Sequence, residues 1–374
     1  MTDGISTPRD EAMGANSDVP EFPHLNLCRW PFDVVPSSEG VEHWVGRPEV
    51  GKRLRRLVDG AVRVPTSRIV LLWATFGSGK THALRYVEYL SLSRERPIAV
   101  YVVVPRGIRS FLDIFRAIVD AMLERRVLDG VGRELLRTHG LHVKTDSERA
   151  LVRLAVGSEE EQRLAAAWLR GDRLPARDLR AIGLTRRIET VTDAVQALHD
   201  IVDSIHLYRG PMVLLLDEVQ ELEELGRKLP ECVGGLHKLF DMNPRGFTLV
   251  LSFTTGARST VRAILGEALY DRAAEVIALP PLTNSEAATF IRAVVELWSI
   301  DATLAPFPFN ADSVQAVVKR LGDEGSALTP RVLMKAFDRV LREAEYDIET
   351  GEIGKIDADY AVRVLEAIET DELG

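Results

Sequence analysis

The chain has 374 residues, 46% of them hydrophobic and 28% charged, with 47 basic against 56 acidic side chains and a formal net charge of −9. That balance excludes a wholly disordered chain and a collagen-like fibre, and the acidic excess argues against a protein that holds nucleic acid by its overall charge. Two cysteines, Cys28 and Cys232, exclude a disulfide framework and a zinc cluster built from one chain.

In chain order, residues 1–20 are polar and rich in Gly, Ser and Asp, and are expected to form a disordered tail. No apolar run there resembles a secretion signal, and the longest apolar stretches, 98–104 and 212–216, are strand-sized. A cytoplasmic protein with no membrane segment is therefore expected. Residues 21–44 mix Pro with large apolar side chains and suit an arm packed on a domain. Charges alternate with Leu and Val at helical spacing over 48–64.

Short continuous apolar runs at 68–73, 97–104, 212–216, 247–253 and 275–279 predict five strands buried on both faces. Between them lie helical patterns at 80–91 and near 236–240, and a mostly helical insertion at about 105–210. Strands alternating with helices predict a parallel α/β sheet over 45–280. The Pro280–Pro281 pair breaks the chain. Beyond it, helices are expected at 285–298, 311–321 and 330–345 within a lid spanning 281–346, and at 357–368 within a C-terminal segment, 347–374.

The strongest motif is ATFGSGKTH at 74–82. It fits G-x-x-x-x-G-K-[ST] with Ala74 in place of the first Gly, and it lies between a predicted strand and a predicted helix. Backbone N–H groups of Gly77, Ser78, Gly79, Lys80 and Thr81 can converge on phosphate oxygens at a helix N-terminus, with His82 following. Lys80 would neutralise the β- and γ-phosphates and the Thr81 hydroxyl would ligate Mg²⁺. A chance Gly-rich turn would not need that flanking context. The second motif is MVLLLDEVQEL at 212–222, a buried run ending in Asp217-Glu218. Asp217 would support the Mg²⁺ and Glu218 would polarise the attacking water. Glu221, Glu223 and Glu224 read as a solvated helix start.

With these motifs placed, the chain resembles the AAA+ P-loop ATPases over roughly 45–345, and within them the origin-recognition and ExeA-like types. WVGRPEV at 44–50 looks like the box that lies against adenine in that family, which implies Val45, Gly46 and Arg47. LVLSFTTG at 249–256 falls where a polar sensor follows the fourth strand; Thr254 matches best and Thr255 next, although the usual residue is Asn. LTPRVLMKAF at 328–337 looks like a second sensor, with Arg331 reaching the γ-phosphate from the lid. EALYDRAAEVIALPPLTNSEA at 267–287 looks like the arginine-finger segment, which implies Arg272, with Arg258 and Arg262 as rivals. PFDVVP, FGSGKTHALRYVEYLS and AAWLRGDRLPARDLRAIGLTRRI are similar to ATP-binding proteins of BREX-type phage-defence loci. Transposon-accessory ATPases share much of this pattern.

The resemblance implies a P-loop NTPase fold with a five-stranded parallel sheet, a helical insertion and a C-terminal helical lid. It also implies ATP and Mg²⁺ held between core and lid, hydrolysis, and a homo-oligomer or hetero-assembly with other proteins, with DNA as a further partner. Residues 163–187 carry seven Arg against two Asp and could contact phosphates, or could be a solvated helical face. Trp168 reads as core. His139 and His142 have no acidic or Cys neighbour that would make them a metal pair. After the lid about 28 residues remain, too few for a winged helix or a zinc finger, so any DNA contact would need an oligomeric pore or groove, or a partner. A nucleotide-dependent switch with slow hydrolysis is the alternative. A small-molecule kinase would share the loop but not the Asp-Glu strand end, the polar sensor and the lid.

Overall fold

The computed structural model describes residues 20–32, 40–94, 96–140, 143–255 and 257–372, with side chains to 367. The expected tail at 1–20, apart from Pro20, and His142 lie outside the described residues. The chain divides into two compact units: one of residues 41–44 and 48–280, the other of 1–40, 45–47 and 281–374.

The first unit is built on five parallel strands: β1 (Arg68–Ala74), β2 (Ile98–Val103), β3 (Met212–Asp217), β4 (Phe247–Thr254) and β5 (Ala273–Ala278). Their spatial order is β2-β3-β4-β1-β5. Successive side chains point to opposite faces of the sheet, and each face has its own core. Ile69, Leu71, Leu214, Leu216, Leu249, Leu251 and Phe253 share one hydrophobic cluster. Val70, Leu72, Tyr101, Val213, Leu215 and Val250 share the other, together with α1 (Pro48–Arg63) and α2 (Lys80–Leu92). Both faces are covered, which is why these strands are continuously apolar in sequence.

The insertion between β2 and β3 contains α3 (Phe111–Glu124), α4 (Val127–His139), α5 (Asp146–Val156), α6 (Glu159–Leu169), α7 (Ala176–Ala181) and α8 (Val191–Tyr208). Four of these begin at reciprocal capping boxes, Ser110/Asp113, Thr145/Glu148, Ser158/Glu161 and Thr190/Asp193. Each box satisfies two backbone donors that the helix start leaves open. The insertion extends the sheet's own core: Phe111, Ile118, Trp168 and Leu198 join the β-strand cluster. Trp168 is core, and its indole N–H is satisfied by the Arg186 carbonyl at 2.7 Å.

A 3₁₀ segment (Val219–Lys228) follows β3 and leads into α9 (Leu229–Met242). That helix is longer than the short stretch expected from its periodicity, because Gly234 and Gly235 interrupt the pattern without breaking the helix. The helix α10 (Arg258–Tyr270) was not among the sequence expectations; non-helical Gly266 lies inside it.

The second unit holds α11 (Asn284–Trp298), α12 (Ala311–Asp323), α13 (Pro330–Glu349) and α14 (Ala358–Glu372). Its core also takes in Leu25, Leu27 and Phe32 from the N-terminal segment and Ile356, Ala361 and Leu365 near the C-terminus. Trp30 donates its indole N–H to Asp338 at 2.7 Å, and the Phe32 ring lies 6.0 Å from those of both Phe309 and Phe337. Among the described residues no helix is long and apolar enough to cross a membrane.

Candidate nucleotide-binding site

The loop at 75–79 turns from β1 into α2. Gly77 and Gly79 have φ of 77° and 90°, a left-handed conformation that a side chain disfavours. Ala74 is the last residue of β1, in register with Thr254, so its backbone is extended and does not require glycine. The turn is closed by Ser78 N–H donating to the Thr75 carbonyl at 3.3 Å and by the Thr75 and Ser78 hydroxyls 2.9 Å apart. Lys80 opens α2 and is buried. The first-turn N–H groups of a helix lack intrahelical acceptors and carry the positive end of the helix dipole, so this loop favours an anion.

Strand alternation brings the second set of groups to the same place. Asp217 follows Val213 and Leu215 onto the face that carries α2, and Tyr101 points to that face from β2. The pairs Val103↔Asp217 and Leu216↔Leu251 set the level of the strand ends. Asp217 is 1% exposed and accepts four hydrogen bonds. Its Oδ2 takes the Thr81 hydroxyl at 3.0 Å and the Tyr101 hydroxyl at 3.1 Å; its Oδ1 takes the Ser252 hydroxyl at 2.8 Å and the Glu218 N–H at 2.9 Å. A carboxylate has about four lone-pair sites, and here four neutral donors fill them. Burial, and then the Asp217 charge, raise the Tyr101 pKa, so Tyr101 stays a donor. The Thr81 hydroxyl has committed its proton to Asp217, which leaves its lone pairs for a cation. An oxygen-only donor set of one hydroxyl beside one carboxylate, next to a phosphate loop, fits Mg²⁺.

Glu218 has φ of 57°, an uncommon left-handed conformation for a residue with a side chain. Its Oε2 accepts the Thr254 hydroxyl at 3.1 Å and the Gln220 amide N–H. Gln220 Oε1 in turn accepts the Thr254 backbone N–H at 2.9 Å. Thr254 therefore touches Glu218, whereas the rival Thr255 accepts from the Ala257 N–H at 3.1 Å. The sequence reading did not single out Tyr101, Gln220 or Ser252. Tyr101 and Ser252 each carry a polar head on a mostly apolar strand, but only the register of β2 and β4 against β3 brings them to Asp217.

The remaining expected site residues are spread more widely. His82 stacks on Trp44, with ring centroids 5.9 Å apart, and its Nε2 lies 3.0 Å from the His43 carbonyl. Burial lowers its pKa, which favours the neutral ring. Val45, Gly46 and Arg47 belong to the second unit, where the Arg47 N–H donates to Glu286 at 3.2 Å. Burial, partly offset by Glu286, lowers the Arg47 pKa to about 10, so it remains a cation at neutral pH. Arg331 stands in the first turn of α13, whose N-cap Thr329 accepts from the Val332 N–H at 3.3 Å.

Arg272 directly precedes β5, and Ala273 pairs with Ile69 near the start of β1. At about 3.3 Å per residue, that is roughly 17 Å along the strand from Ala74. Arg272 is ion-paired with Asp241. Arg258 lies at the other end of the sheet, 5.8 Å over the Trp73 ring, and Arg262 pairs with Glu267 at 2.8 Å and Asp271 at 3.1 Å. In the Arg-rich stretch, Arg163 pairs with Glu160 at 2.6 Å, Arg170 with Asp120 at 2.6 Å and Arg177 with Asp178 at 3.1 Å.

No protein-family model matches the chain, and no curated protein sequence does. Solved structures do. The Aeropyrum pernix ORC2 protein in its ADPNP–ADP complexes is similar with a TM-score of 0.54 at 14% identity, covering 88% of this chain and 71% of that one. The Walker-type ATPase paby2304 of Pyrococcus abyssi is similar with a TM-score of 0.51 at 14% identity, covering 92% and 78%. The ADP form of the ORC2 protein gives a TM-score of 0.50 at 16% identity, covering 90% and 71%. At such identities the likeness is one of fold: this chain shares with the ORC2 protein and the Walker-type ATPase an α/β fold, here with five parallel strands.

Proposed function

We propose that the chain binds ATP with Mg²⁺ at the 75–82 loop and hydrolyses it. The observation that carries this reading is the convergence of Thr81, on the phosphate loop, with Asp217, on the neighbouring strand end, at 3.0 Å. Nothing in packing alone requires a buried, fully hydrogen-bonded carboxylate beside a left-handed glycine turn. Lys80 and the loop N–H groups would hold the β- and γ-phosphates. Thr81 and, through it, Asp217 would hold the cation, which supplies charge neutralisation on the transferred phosphoryl group. Glu218 would orient the attacking water and accept its proton, with its carboxylate aimed by Thr254 and Gln220. Val45, Gly46, Arg47 and His82 are proposed for the base and ribose side, and Arg331 for sensing the γ-phosphate.

Arg272 sits too far from its own loop to serve it, so its proposed role is at a neighbouring copy's site. This favours slow turnover in the isolated chain and faster turnover in a homo-oligomer or an assembly with other proteins. The setting we propose is a DNA-linked, multi-protein assembly of the phage-defence or transposition kind, on the sequence resemblance alone. The test is Glu218→Gln. The variant is expected to bind ATP as the wild type does and to lose turnover by about 100-fold or more. Undiminished phosphate release would remove Glu218 from the chemistry.

A further inference from the structure

We propose that Tyr101 is a positioning residue for the divalent cation: its hydroxyl shares one oxygen of Asp217 with Thr81 and so fixes the hydroxyl that meets the metal. The proposal rests on the nucleotide reading above.

Tyr101 pairs in register with Leu215, two residues before Asp217, and its side chain is long enough to reach the carboxylate at 3.1 Å. The ring cannot swing freely. The Arg85 guanidinium lies 3.9 Å over its face, and Arg85 is held by Glu88 at 2.9 Å. Glu88, with a side chain 7% exposed, is also ion-paired with Arg125, which ends α3. The phenol is thus covered from the loop helix by Arg85, whose partner Glu88 is in turn tied to the end of the first helix of the insertion. Removing the hydroxyl would leave Asp217 Oδ2 with an unfilled site away from water and with the Thr81 hydroxyl as its one remaining partner, while Oδ1 keeps Ser252 and the Glu218 N–H. An unmet buried acceptor is costly, and partners behind metal ligands typically set 10–100-fold in metal affinity.

Tyr101→Phe keeps the ring and the Arg85 contact and deletes only the O–H. Binding of a fluorescent ATP analogue is measured against Mg²⁺ concentration, and again in EDTA. The Mg²⁺ concentration for half-maximal tightening is expected to rise about 10-fold, with the affinity in EDTA unchanged. Arg85→Met, which loosens the ring but leaves the hydroxyl, is expected to shift it in the same direction by a smaller factor. It carries the test if Tyr101→Phe does not fold. A Mg²⁺ dependence equal to the wild type's in the folded variant overturns the proposal, even if the melting temperature falls, because Tyr101 is then a packing residue. A wild type with no Mg²⁺-dependent ATP binding defeats the nucleotide reading itself, and this proposal with it.

Discussion

The strand-end pocket and the arginine-rich stretch of the insertion are both dense in charge, and they treat it in opposite ways. In the pocket, Asp217 and Glu218 are held by hydroxyls, an amide and a backbone N–H. No cationic side chain is among those donors. In the insertion, Arg163, Arg170 and Arg177 each meet a carboxylate at 2.6–3.1 Å. Such solvent-exposed pairs are screened, add little to stability and neutralise each other locally. For these three of the seven Arg, the contrast is between carboxylates held by neutral donors and side chains paired with the opposite charge.

Four measurements would break or sharpen that contrast. Arg272→Ala is expected to lower turnover of the assembled protein by about 10³-fold and to leave ATP affinity of the isolated chain unchanged. Full turnover in the assembly would reject Arg272 and return attention to Arg258. Asp217→Asn places an amide N–H where only acceptors fit, and is expected to weaken Mg²⁺-dependent ATP binding about 100-fold; titration of ATP with and without Mg²⁺ reads this directly. Gln220→Ala removes one of the two side-chain donors on Glu218 and is expected to lower kcat about 10-fold with little change in KM. A change in KM alone would place Gln220 in binding instead. Replacing Arg163, Arg170 and Arg177 together by Ala is expected to change affinity for double-stranded DNA by less than about 2-fold. A large loss, with a shallower salt dependence, would make the insertion a phosphate-contacting surface.

Much of the fold was legible because its signals are local. The five apolar runs mark strands, and Gly77-Ser78-Gly79-Lys80-Thr81 sits where one of them meets a helix. The Asp-Glu strand end was legible for the same reason. The helix 258–270 was missed because Gly256 and Gly266 punctuate a sequence that has no clean periodicity. Tyr101 and Ser252 were missed because their role depends on register: only the pairing of β2 with β3 and of β3 with β4 sets them around Asp217. Gln220 was hidden in an acidic stretch whose backbone is a 3₁₀ turn, so spacing did not suggest that its amide would fold back on Glu218. The N-terminal segment gave no sign of its destination either. Its large apolar residues, Leu25, Leu27 and Phe32, are buried with residues nearly 300 positions away.

The central claim is a triphosphate pocket on the 75–82 loop, and the most direct test is ATP binding by the wild type and by Lys80→Ala, measured calorimetrically with excess Mg²⁺. The account predicts saturable one-site binding by the wild type and a loss of at least about 100-fold in the variant. Equal affinities in two equally folded proteins would contradict it.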